Sequence, residues 1–160
     1  MNRWSKIASL FILSSSLWGG ACLAQKPQPS EKAEAPITEY RSLSFVQSGG
    51  FAGIYRQINV DFAAKRIQMR DRHDTTPREE TLTNEDLASI TAAVTAAKLP
   101  SAHGPYLCRF CADQFHYDIT VVTTAHRHQV QWEDGSNAPQ TLFDLGAVLR
   151  RIAERRPSAR

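Results

Sequence analysis

Leu43-Ser44-Phe45-Val46-Gln47-Ser48-Gly49-Gly50-Phe51-Ala52-Gly53-Ile54-Tyr55-Arg56-Gln57-Ile58-Asn59-Val60 holds two alternating runs on either side of a glycine-rich break. Leu43 and Phe45 alternate with Ser42 and Ser44, the period-2 signature of a half-buried strand. Ile54, Ile58 and Val60 then share one parity, with Tyr55, Gln57 and Asn59 on the other. Together the runs predict a hairpin closed by Ser48-Gly49-Gly50-Phe51-Ala52-Gly53. The glycines permit positive φ and let another backbone approach closely. Phe51 is a large aromatic in a small loop, and two placements are open for it. It folds back onto the domain's own core, which burial chemistry favours, or it enters a partner's pocket.

Beyond the hairpin, Lys65 to Arg70 reads as a third strand, with Ile67 and Met69 inward. Arg72 to Leu82 is polar, contains Pro77 and reads as loop. Thr83-Asn84-Glu85-Asp86 is close to a capping box, and Leu87, Ile90 and Val94 follow at helical spacing until Pro100. Ser101 to Asp113 is a second loop, with Gly104, Pro105 and two cysteines. Phe115, Tyr117, Ile119 and Val121 then form the clearest inward face of the chain, with His116, Asp118 and Thr120 outward. Gln129 to Trp132 makes the partner strand, and Asp134-Gly135-Ser136-Asn137 is turn chemistry. Thr141 to Arg155 is a helix with Leu142, Leu145, Leu149 and Ile152 on one stripe. The order β-β-β-α-β-β-α predicts an α+β fold: an antiparallel sheet of four to five strands with two helices on one face.

A chain of 160 residues is short for more than one ordinary domain. Arg3 and Lys6, the apolar run Ile7 to Trp18 and the small residues up to Ala24 have the order of an export signal, cut before Gln25. Residues 1–24 are therefore expected to be a signal peptide, 25–39 a flexible leader, 40–155 the domain and 156–160 a basic tail. The expected location is secreted or periplasmic. A second reading of the cut is open. Gly20-Ala21-Cys22 is similar to a bacterial lipoprotein signal, in which Cys22 would carry a lipid anchor, although Gly19 stands where that pattern usually has Leu. No later segment is long and apolar enough to span a membrane. Taking Arg3 and Lys6 from the 19 basic side chains leaves 17 against 16 acidic ones, a balance of +1. That gives no electrostatic case for nucleic acid as a partner.

Cys108-Arg109-Phe110-Cys111 precedes a strand, whereas a thioredoxin-like pair opens a helix. A local disulfide is the leading reading in an oxidising compartment, with a metal site, redox chemistry and free thiols as the alternatives. His103, His116, His126 and His128 lack finger spacing after the cysteines and read as solvated surface groups. Asp113, Asp118 and Glu133 read as scattered outward acids. No His-Glu-x-x-His, Gly-x-Ser-x-Gly or phosphate-loop motif occurs. The expectation is a protein that is not an enzyme, with no catalytic residues, no bound metal and no cofactor.

Phe45-Val46-Gln47-Ser48-Gly49-Gly50-Phe51-Ala52-Gly53, followed by Val60-Asp61, resembles the opening of the emfourin family, proteinaceous inhibitors of the thermolysin-like zinc metalloprotease protealysin. Asp113-Gln114-Phe115-His116-Tyr117-Asp118-Ile119-Thr120-Val121 is similar to that family's Asp-x-Phe-x-Tyr-x-Leu-Thr-Val strand. Arg127-His128-Gln129-Val130 and the helix from Pro139 to Ile152 follow in the family's order. The resemblance spans Leu43 to Ile152. It implies stoichiometric inhibition of a thermolysin-like metalloprotease through Ser48, Gly49, Gly50, Phe51, Ala52 and Gly53. On this reading Phe51 fills the enzyme's primed-side apolar pocket, and Ser48 or Asp61 approaches the enzyme's zinc. The chain departs from the family in its export signal and its Cys108–Cys111 pair, and export points to a secreted target. Two other classes stand beside it: a periplasmic or cell-surface binding module without inhibitory activity, and a redox or metal protein using the two cysteines.

Overall fold

The alternation around the glycine-rich break becomes a long hairpin in the computed structural model, which describes residues 40–155. The expected signal peptide with Cys22, the leader and the basic tail lie outside those residues. β1 (Tyr40–Gly49) runs antiparallel to β2 (Ile54–Asp61), with Phe45 opposite Ile58 and Leu43 opposite Val60. β3 (Arg66–Asp71) adds to the far side of β2. β5 (Phe115–Thr123) pairs with the other side of β1, and β6 (Arg127–Glu133) completes that side. β4 (Arg78–Thr81) lies outside β3. The result is a six-stranded antiparallel sheet in the order β4-β3-β2-β1-β5-β6.

The sheet thus has six strands where the sequence pattern predicts four to five. The extra one, β4, falls inside the polar stretch read as loop. Its four residues, Arg-Glu-Glu-Thr, lack the alternation that marks a strand. Pairing and charge hold it instead. Arg66 and Gln68 of β3 both donate to the Glu79 carboxylate, each at 2.7 Å. Arg78 also donates to the Ala153 carbonyl. A short, charged strand at a sheet edge also discourages pairing with other chains.

Helix α1 (Asn84–Ala97) starts as expected: the Thr83 hydroxyl accepts from the Asp86 amide, and the Asp86 carboxylate accepts from the Thr83 amide. Arg155 donates to both oxygens of the buried Asp86, at 2.6 and 3.3 Å. Burial works against the Asp86 charge, but the Arg155 and Thr83 hydrogen bonds outweigh it and hold the carboxyl below its ordinary range. α1 ends at Lys98, which takes a left-handed backbone just before Leu99-Pro100. Helix α2 (Gln140–Ala153) buries Leu142, Leu145, Leu149 and Ile152. The inward sheet residues Leu43, Phe45, Ile58, Val60, Ile119, Val121 and Trp132 form one core with Ile90 and Val94 of α1 and the α2 stripe. Both helices therefore cover the same face of an α+β sandwich.

Candidate functional site

The β1–β2 ladder closes at Gly49 opposite Ile54, leaving Gly50–Gly53 as the loop. The Gly53 amide donates to the Gly50 carbonyl at 2.9 Å, completing a tight turn. Gly49 and Gly50 have φ of 102° and 70°, a region that L side chains rarely adopt. Both also lie against β5 and the residue before it. A Cβ on Gly49 would stand 2.6 Å from the Gln114 carbonyl oxygen, and one on Gly50 would stand 2.8 Å from the Phe115 ring. The Gly50 amide donates to that same Gln114 carbonyl at 3.0 Å. From the other side, Arg72 donates to the Gly53 carbonyl at 2.9 Å. The loop is thus pinned on two flanks, and on the β5 flank by groups that glycine alone lets approach.

Phe51 does not fold back onto the core; its side chain is 95% exposed at the apex of this loop. Ile54, which shares a parity with the buried Ile58 and Val60, is exposed beside Tyr55 at this end of the hairpin. Ser48 pairs with Tyr55 and His116 close to the apex. Asp61 does not join it. It pairs with Ser42 at the far end of the hairpin, roughly 23 Å away at ~3.3 Å per residue, and caps the next turn by accepting from the Ala64 amide. The structure therefore overturns the suggestion that Asp61 reaches a zinc gripped by this tip.

The loop before β5 reaches the same end of the sheet. Cys108 and Cys111 are joined by a disulfide, with Cα atoms 5.5 Å apart. Phe110 within that ring is 99% exposed, and Leu107 beside it is also exposed. The loop's anchor is Glu133 at the end of β6, which is buried rather than outward. Its carboxylate accepts from the Cys108 amide at 2.8 Å and from the Gln114 side-chain amide at 3.1 Å, with His116 Nδ1 at 2.8 Å. The Cys108 amide bond chiefly holds this carboxyl below its ordinary range; burial opposes it, and Gln114 and His116 add to it. Tyr106 bridges to β6, donating to the Gln131 carbonyl and accepting from the Glu133 amide, each at 3.0 Å. Nearby, burial and then the Asp134 hydrogen bond push the Tyr117 hydroxyl up to about 12.

Of the residues singled out in the sequence, Ser48–Gly53 stay together at the tip and the cysteines pair beside it. Among the described residues no His, Cys, Asp and Glu side chains gather into a group that would hold a metal ion. His116 serves Glu133, while His126 and His128 sit together at the opposite hairpin end, ring centroids 5.9 Å apart. Sequence reasoning missed Phe110 and Glu133. Phe110 carried a usable signal: a side chain in the middle of a four-residue disulfide ring has little chain with which to reach a core. Glu133 carried none, since only the folded loop brings its donors to it.

The geometry defines a small α+β domain that projects two aromatic-tipped loops from one end of its sheet. No family model matches the chain, and no curated protein matches it. No helix among the described residues is long and apolar enough to cross a membrane.

Proposed function

We propose that this protein is an exported, non-enzymatic inhibitor of thermolysin-like zinc metalloproteases, acting by stoichiometric binding through Ser48–Gly53. The observation that carries the reading is Phe51, almost fully exposed on a loop clamped by Gln114 and Arg72. The choice of protease class rests on the likeness of Phe45–Gly53 and Asp113–Val121 to the emfourin segments. Phe51 fills the apolar pocket that accepts the residue after the scissile bond. Backbone groups at the loop's apex, Phe51 and Ala52, hydrogen-bond to the enzyme's strand edge. Because the loop is already ordered, little conformational entropy is lost on binding, which is how such inhibitors gain affinity from a modest area. The enzyme supplies the zinc, and the inhibitor needs no metal or cofactor of its own.

The test is titration of thermolysin with the purified protein, with Phe51→Ala and Gly50→Asp alongside. The expected result is stoichiometric loss of peptidase activity for the parent protein. Truncating a central aromatic anchor typically weakens binding by ~30-fold or more. Both variants inhibiting as well as the parent would move the contact surface away from this loop.

A further inference from the structure

We propose that the Cys108–Cys111 loop is a second gripping arm, whose Phe110 enters an apolar subsite of the same protease beside the one taken by Phe51. This rests on the inhibitor reading above. Among the described residues, Phe110 is the most exposed of the large apolar side chains, at 99%. An aromatic contributes nothing to the core from there, yet the structure beneath it is closely built. A disulfide closes the ring around it. The Glu133 carboxylate ties the ring's first amide and the Gln114 side chain to β6. A Cβ at Gly135 would stand 2.8 Å from Cys111 Sγ, so the β6–α2 turn packs directly against the ring.

The two arms share one base. Gly49 is in register with Phe115, the Gly50 amide bonds to Gln114, and the Asp134 amide donates to the Phe115 carbonyl at 3.1 Å. β1, β5 and β6 are consecutive in the sheet, which separates the roots of the arms by about 10 Å, two strand spacings. An extended peptide rises about 3.3 Å per residue, so a cleft that holds four or more of its residues is long enough to span that separation. Both loop backbones are anchored before the encounter. Engagement of one then raises the effective concentration of the other at the protease surface.

The experiment measures inhibition constants against thermolysin for the parent protein, Phe51→Ala, Phe110→Ala and the double variant. Amide hydrogen exchange of residues 106–113 is followed with and without the protease. Phe110 touches no core residue, so Phe110→Ala should keep the parent's thermal midpoint. The expected result is at least about tenfold weaker inhibition for Phe110→Ala, and slowed exchange across 106–113 in the parent complex. Phe110→Ala inhibiting like the parent, with exchange at 106–113 unmoved while Phe51→Ala loses inhibition, overturns the second arm and leaves the inhibitor reading standing. A parent protein that does not inhibit thermolysin takes both down together.

Discussion

Phe45 and Phe51 stand in one hairpin and in opposite surroundings: Phe45 is 0% exposed, Phe51 95%. At the hairpin's base the strand alternation governs. Phe45 points to the helix-covered face and meets Tyr117 and Trp132, ring centroids 6.1 and 6.2 Å away. At the tip the alternation ends, because Gly49 and Gly50 turn the chain through positive φ, and nothing among the described residues covers Phe51. The same residue type therefore adds to stability at one end and is free for a partner at the other. What decides is whether anything covers the ring, and that depends on elements far away in sequence.

The difference can be broken at its base first. Phe45→Ala should cost about 3–5 kcal/mol, as other buried Phe truncations do, read as the shift of a urea or thermal unfolding curve. Next comes the hinge. Gly49→Ala combines a disfavoured backbone with a collision against the Gln114 carbonyl, for an expected loss of ~2–4 kcal/mol. Stability near the parent's would mean that the tip relaxes without cost. Replacing both Cys108 and Cys111 with serine opens only a four-residue ring, so loop-closure entropy limits the loss to about 2 kcal/mol. Its larger sign should be faster hydrogen exchange across 107–112.

Acid offers a gentler probe of the same anchor. The folded Glu133 carboxyl lies below its ordinary value of 4.5. Its stabilising contribution is therefore fully present above that value and is lost as the pH falls from there through the lowered folded value. Protection of the Cys108 amide, taken relative to the intrinsic exchange rate at each pH, should fall over that window, and Glu133→Gln should abolish that fall. At the far end of the scale, Phe51→Ala should change stability by no more than about 0.5 kcal/mol. A loss as large as that of Phe45→Ala would mean that the tip ring packs after all and would remove the contrast.

Much of the fold was legible in advance because its signals are local. Thr83 and Asp86 announce the start of α1 by their spacing, and Leu142, Leu145, Leu149 and Ile152 announce the buried stripe of α2. β4 was not legible, since Arg78–Thr81 is a strand through its pairing with β3 and its Glu79 contacts, not through any pattern of its own. At the candidate site, Ser48–Gly53 was visible from its composition. The exposure of Phe51 was not, because burial chemistry alone argues for the core. Glu133 shows the same limit: an acid near a strand end looks solvated until Cys108, Gln114 and His116 close over it.

The amino-acid order by itself determined the α+β class, the glycine-hinged hairpin and the helix cap, all of which depend on neighbours within a few positions; it put two cysteines close enough to bond and left their state open. Only the tertiary structure decided that the hairpin apex and the disulfide ring meet at one sheet end, that a buried carboxylate holds the ring there, and that two phenylalanines are left uncovered. Those facts rest on β1 lying between β2 and β5, a pairing across more than sixty residues of chain that no local periodicity encodes.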